Sequence, residues 1–307
     1  PEIGQVWYNS TSATLKVRAA TTAGTWASGG TMITARQTLA GCGTQTAALG
    51  FGGYAPNRNQ SEKYNGSTWT STSPLNTARR GISGCGTQTS ALAFGGDVSN
   101  VGVATGATEK FNGTTWTAVT AMNTIRYFGG GFGLQTAALS FGGSSTGPGS
   151  PQLATTESYN GSTWTAVNSL NAARTAMTGI GILTAGLAVG GQQSPAGSNT
   201  LTESWNGTSW APISSINTAT AVGSPAGTQT AALVAGGYGP AALSNTELWN
   251  GTSWTTNPNG LAAARGGSAG GGSQTAALVF GGGPPTTGVT EEWTGPGTAV
   301  TKTVTAT

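Results

Sequence analysis

The sequence predicts an all-β fold, a six-bladed β-propeller of four-stranded antiparallel blades, and three observations carry that expectation. A phrase ending in a Gly pair occurs six times, and a second phrase with Glu and an aromatic residue follows each occurrence. The Trp-bearing strand missing from the last unit is found near the N-terminus.

The first phrase reads Thr44-Gln45-Thr46-Ala47-Ala48-Leu49-Gly50-Phe51-Gly52-Gly53 and returns at 87–96, 134–143, 182–191, 228–237 and 273–282. Successive second glycines lie 43, 47, 48, 46 and 45 residues apart. Leu49, Leu92, Leu139, Leu187, Leu233 and Leu278 fill one position, each preceded by Ala or Gly. Alternation of large and tiny residues describes a strand buried on both faces, its bulky side against the slim side of the next sheet.

The second phrase, Glu62-Lys63-Tyr64-Asn65-Gly66-Ser67-Thr68-Trp69, recurs at 109–116, 157–164, 203–210 and 247–254. Asn-Gly between β-rich runs predicts a hairpin through a type I′ turn, in which both residues take positive φ. Each unit then has four strands: one opening near an Arg, one ending in Gly-Gly, one with Glu-x-aromatic and one with Trp. Four short strands per repeat of ~40–50 residues signal a propeller blade.

Gly-Gly, an acidic-x-aromatic strand, a Trp strand and an Arg opening the next unit together resemble the kelch repeat. Over about residues 26–293 the blades are similar to those of the galactose-oxidase central-domain family. The Asn-Gly hairpin and the Thr-Gln-Thr-Ala-Ala-Leu phrase also resemble propellers in tail and other virion proteins of marine bacteriophages.

Closure follows from counting. The sixth Glu-x-aromatic strand, Glu291-Glu292-Trp293, runs into Thr294-Gly295-Pro296 with no Trp strand after it. Gly24-Thr25-Trp26 supplies one, and Trp26 precedes Arg36 by the same spacing as Trp69 precedes Arg79. The expected organisation is an N-terminal hairpin and linker over 1–23, the propeller over 24–295, and a C-terminal strand over 296–307 lying with the hairpin. Pro1-Glu2-Ile3 has neither an initiator Met nor a signal-peptide pattern, which suggests a processed or partial chain.

Composition removes much chemistry. The 307 residues include 12 Lys or Arg, 9 Asp or Glu and no His, and charged residues make up 7% where about a quarter is usual. Without His there is no Ser-His-Asp triad, imidazole ligand or ordinary proton shuttle, so no metal or cofactor is expected. The copper chemistry of the galactose-oxidase family, which uses histidine ligands, is equally out of reach. The net charge of +3 carries no basic run, so nucleic acid is not an expected partner, and no apolar run is long enough for membrane insertion.

Several periodic features invite functional readings. Arg36, Arg79, Arg126, Arg174 and Arg265 each lie 17 residues before a second glycine, with Thr220 in the fifth unit. They form either a ring that binds an anionic glycan or, the reading preferred here, structural groups that pair with the repeat acids Glu62, Glu109, Glu157, Glu203, Glu247 and Glu291 or with strand-end carbonyls. Outside that set only Glu2, Asp97 and Glu292 remain as acids, too few and scattered for a glycosidase pair. Asn-Gly-Ser/Thr also matches the glycosylation sequon, but turn formation accounts for it. Cys42 and Cys85 occupy a position held elsewhere by Phe132, Ile180, Ala226 and Gly271, which describes an apolar filler site. The periodic aromatics, Tyr64 and Trp69 among them, read as blade packing.

Function is therefore sought where the repeat breaks. The short turns share one face of the propeller, while the opposite face holds segments of unequal length at 54–61, 97–108, 144–156, 192–202, 238–246 and 283–290. Variable loops on a rigid scaffold are where recognition sits. Tyr54, Asn57, Arg58, Asp97, Gln192 and Tyr238 are the expected ligand-binding residues, with aromatic faces and amides suited to carbohydrate. The expected function is a non-enzymatic virion or extracellular binding module, a phage tail or fibre component that recognises a host-surface glycan or protein. Other virion proteins, and further copies of the chain, are expected partners. The alternatives are a purely structural virion or appendage protein and, less favoured, a polysaccharide-degrading enzyme.

Overall fold

The structure, a computed structural model, describes residues 4–20, 23–54, 58–99, 101–146, 151–194, 197–297 and 299–304. Among these residues no helix forms. The chain builds six four-stranded antiparallel sheets arranged as a ring, a six-bladed β-propeller. Blade 1 runs from inside to outside as Ala40–Thr44, Ala47–Phe51, Ser61–Tyr64 and Trp69–Thr72.

Blade 6 is assembled from both ends. Ala269–Gly272, Ala276–Phe280 and Thr290–Thr294 are joined by Thr25–Ser28 as the outer strand. Trp26 pairs opposite Trp293 with ring centroids 5.1 Å apart. The inner strand of blade 6 packs on that of blade 1 as other neighbours do. The ring is closed without a covalent link, which leaves no open seam between first and last blades.

The core is distributed rather than central. Each of six buried apolar clusters lies between two adjacent blades. Leu49, Ala48 and Phe51 are all fully buried, because the second strand of a blade is covered on both faces. Phe51 reaches the next blade, where its ring lies 4.9 Å from that of Trp116. It also faces Gly84, where an added Cβ would stand 2.4 Å from the Phe51 ring. Glycine in the inner strand is thus a packing requirement.

The Asn-Gly turn differs from the type I′ expectation. Four residues, 65–68, separate the paired Tyr64 and Trp69, and only Gly66 has positive φ, 92°. Asn65 Oδ1 accepts the N–H groups of Ser67 at 3.0 Å and Thr68 at 2.9 Å. The side chain itself closes the loop, the local bonding for which Asn is favoured in turns.

Outside the ring, Val6–Asn9, Thr14–Ala20 and Ala299–Val304 form a three-stranded sheet. Cys42 and Cys85 are buried free thiols, pushed to high pKa by burial, Cys42 to about 12. Among the described residues no helix is long and apolar enough to cross a membrane.

Candidate ligand-binding face

Strand order gives the propeller two unlike faces. One carries the turns between first and second strands and the Asn-Gly loops. The other carries the loops after each Gly pair together with the connections from one blade to the next.

The turn face spends its Gln side chains on joining blades and its Asn side chains on closing their own loops. Gln45 donates to the carbonyls of Ala277 and Trp293 in blade 6, at 3.1 and 2.8 Å. Gln88, Gln135, Gln229 and Gln274 do the same to the blade before them. Blade 4 has Leu183 at this position. The Gln of the first phrase is therefore an inter-blade strut, a role that sequence spacing alone does not reveal.

The repeated arginines are buried partners of the repeated glutamates within one blade. The pairs are Arg36–Glu62, Arg79–Glu109, Arg126–Glu157, Arg174–Glu203 and Arg265–Glu291. None of these arginines lines the axial channel. Each Glu also accepts backbone N–H groups from the incoming connection; Glu157, for example, takes those of Asn123 at 2.8 Å and Thr124 at 2.9 Å. Burial alone raises the Glu157 pKa, but these donors and Arg126 outweigh it and hold the carboxyl below its ordinary value. Burial lowers Arg36 to about 10, against the opposing pull of Glu62.

On the loop face, the axis is encircled by one residue from each blade: Thr38, Gly81, Phe128, Ala176, Val222 and Gly267. Each N–H donates to the carbonyl of the residue one blade earlier, from Thr38 to Gly267 at 2.6 Å through Gly267 to Val222 at 3.2 Å. All six have positive φ, between 46° and 62°. Four of them are not glycine, and a left-handed conformation costs such residues roughly 1–2 kcal/mol each. The closed cycle of hydrogen bonds holds them there. Below it runs an axial cavity of about 230 Å³ lined by the six inner strands.

One residue outward from this cycle, each blade forms a bridge between its connection and its loop. The pairs are Gln37–Tyr54, Arg80–Asp97, Tyr127–Ser144, Thr175–Gln192, Ala221–Tyr238 and Gly266–Gly283. Four of the expected ligand-binding residues, Tyr54, Asp97, Gln192 and Tyr238, thus stand at equivalent positions around one mouth. Arg58 is half-buried in the blade 1 loop. Asn57 lies outside the described residues.

Their environments differ. Tyr54 is half-buried with the Arg80 guanidinium 5.1 Å from its ring centre. Gln192 is exposed on a two-residue strand, Gln192–Gln193, paired with Gly197–Ser198. Tyr238 lies against Gly266 and donates its hydroxyl to the Gly283 carbonyl of blade 6 at 2.7 Å, while burial raises its pKa.

Asp97 departs from the expected direct ligand contact. It is 0% exposed, and its carboxylate accepts from Ser99 N at 2.9 Å, Ser99 Oγ at 3.0 Å, Gly102 N at 3.1 Å and Arg80 Nε at 3.0 Å. Burial raises its pKa, but those hydrogen bonds prevail and the net shift is downward. A short acidic side chain beside backbone N–H groups folds its own loop. Asp97 positions Arg80.

Arg80, Tyr127 and Phe128 are the residues that sequence reasoning missed. They follow the repeated Arg in the inter-blade connection rather than in the loops. The sign was available, since Gln37, Arg80, Tyr127, Thr175, Ala221 and Gly266 vary as freely as the loops do. Glu292 meets Tyr64, whose hydroxyl donates to it at 2.6 Å, so blades 6 and 1 share it while Asp97 belongs to blade 2. Among the described residues no cluster of three metal-ligating side chains forms.

No family model and no curated protein matches the chain. Among solved structures it is similar to that of YjhT, with a TM-score of 0.73, 11% identity, and coverage of 89% of this chain and 99% of the other. At that identity the likeness shows the fold alone, a six-bladed β-propeller.

Proposed function

We propose that the chain is a non-enzymatic binding module, a kelch-like propeller of a phage tail or fibre that recognises a host-surface glycan or protein through its loop face. One observation carries this reading: the two faces use their side chains differently. The turn face commits its repeated Gln series to neighbouring blades, whereas the loop face displays half-buried Tyr54 and Tyr127, with Arg80, around one opening. Enzymatic cleavage is less favoured, because Asp97 is enclosed and Glu292 is engaged with Tyr64.

The test is binding of the purified protein to a glycan array and to immobilised host-envelope fractions. Tyr54→Ala and Gln192→Ala are expected to weaken binding with the melting temperature unchanged, and Ser67→Ala on the turn face is expected to do neither. Loss of binding confined to turn-face variants sinks the assignment. Absence of binding on every surface favours the architectural role.

A further inference from the structure

The repeat accounts for most aromatic residues of the chain. Those it does not use are Trp7 and Tyr8 in the appended hairpin, Phe132 in the channel wall, and Tyr54, Tyr127, Phe128 and Tyr238. The last four gather at one end of one channel, from blades 1, 3 and 5. Tyr127 and Phe128 are adjacent rings with centroids 5.3 Å apart, and Phe128 lies over Gly81, where an added Cβ would meet its ring at 3.1 Å. Tyr54 and Arg80 form a second flat surface beside them, braced by Asp97. Burial and the nearby Asp97 charge raise the Tyr127 pKa, which agrees with the two surfaces being neighbours.

Beneath these flat groups the wall changes character. The inner strand of each blade is the terminal strand of its sheet, so one row of its backbone groups has no strand partner and borders the axis. Gly41, Gly43, Gly84 and Gly86 are among the channel-lining residues, and glycine permits close approach to the backbone. Flat apolar surfaces above accessible N–H and C=O groups match a molecule with an apolar C–H face and a hydroxyl-rich edge. Of the four mouth aromatics, Phe128 also lines the cavity of about 230 Å³ beneath, which is smaller than the ~300–1,000 Å³ of drug-sized sites.

We infer that the loop-side mouth of the axial channel is a saccharide subsite at which a single terminal sugar ring packs against the aromatic rim formed by Tyr127–Phe128 and the adjoining Tyr54–Arg80 pair. This rests on the loop-face reading and narrows it. An axial mouth surrounded by six blades admits the end or branch of a glycan, not the middle of an extended chain. Asp97 is a positioning residue, acting through Arg80.

Phe128→Gly isolates the idea. At φ of 51° glycine is at home, so the hydrogen-bonded cycle is retained while the ring is removed. The probes are methyl glycosides of glucose, galactose, mannose and N-acetylglucosamine, followed by saturation-transfer NMR with the intact protein. At least one is expected to give a signal that falls at least five-fold in Phe128→Gly and Tyr127→Ala. Tyr8→Ala, and Leu134→Ala at the opposite end, are expected to leave it unchanged. No signal from any glycoside, or a signal indifferent to both mouth variants, overturns the subsite. If array binding falls with Gln192→Ala but survives Phe128→Gly and Tyr127→Ala, the loop face stands and the mouth subsite does not. If binding follows Leu134 or Ser67 instead, both readings fail.

Discussion

Blades 5 and 6 each depart from the common plan, in opposite ways. Blade 6 keeps the polar contacts and breaks the chain: Arg265 pairs with Glu291, and Trp26, arriving from the N-terminus, donates to Thr246 at 2.8 Å. Blade 5 keeps the chain and loses contacts. Thr220 replaces the Arg, and Trp254 Nε1 and Thr202 Oγ1 are buried without hydrogen-bond partners, although Trp164 and Thr108 make that bond at 3.1 Å. Yet Glu247 still accepts Asn217 N and Thr218 N, each at 2.8 Å. Thr220 Oγ1 also donates to the Gly236 carbonyl, the equivalent of the Gly142 carbonyl that Arg126 binds.

The difference separates what a blade needs from what it merely has. Glu tied to the incoming backbone is common to all six blades. The guanidinium is replaceable, as expected where desolvation cancels much of a buried pair's attraction. Covalent continuity is replaceable too, provided the outer strand is present.

The largest effect expected from breaking this contrast is deletion of residues 1–28. It strips the outer strand from blade 6 and uncovers Trp293, which is fully buried, while Asn257 loses its bonds to Gly24. Against total stabilities of about 5–15 kcal/mol, the melting midpoint should fall by roughly 10 °C or more, or cooperativity should vanish in a circular-dichroism melt. A truncated chain that melts like the full one disproves the closure.

Next come the glutamates. Glu291→Ala leaves Arg265 buried without its counter-charge and should cost about 3–5 kcal/mol. Glu247→Ala strands only neutral donors and should cost about 1–3 kcal/mol. Urea denaturation reads both, and equal losses would show that the guanidinium is not what separates the blades.

A smaller difference is expected between the indoles. Trp26→Phe removes a made hydrogen bond and Trp254→Phe removes an unmade one. After allowing for the shared loss of ring area, Trp26→Phe should cost about 1 kcal/mol more. The reverse order would place a partner on Trp254.

The smallest effect lies in the axial cycle, where blade 5 has Val222 at φ 46° and blade 6 has Gly267 at φ 62°. Val222→Gly relieves left-handed strain but adds chain entropy to the unfolded state, so stability should change by less than about 1 kcal/mol. A large loss would mean that the valine side chain, not the backbone cycle, holds the mouth.

Much of this architecture was legible because repetition lets six imperfect signals check one another. Gly-Gly marked the end of each second strand: both glycines have positive φ, and the second donates to the next blade, as Gly53 does to the Arg79 carbonyl at 2.8 Å. The count of Trp strands revealed closure, and the constant Arg spacing pointed to pairing with Glu. The turn type was not legible, since Asn-Gly fits a type I′ turn as well as the four-residue loop that Asn65 closes. The candidate site was legible in half. Variability singles out Tyr54, Gln192 and Tyr238 as candidates, and the structure places them at equivalent positions on one face, whereas Arg80, Tyr127 and Phe128 adjoin a periodic Arg and are hidden by it.

The sequence by itself determined the repeat, the number of blades, the strand order and the face on which variation collects. These depend on local patterns, and local patterns repeat along the chain. Only the tertiary structure decided that Gln45 serves the blade before its own, that Asp97 turns inward, and that four non-glycine residues accept positive φ to join one ring around the axis. Each of those depends on a partner tens to hundreds of residues away or on the summed geometry of six blades. A side chain's neighbours along the chain do not reveal what stands across the ring.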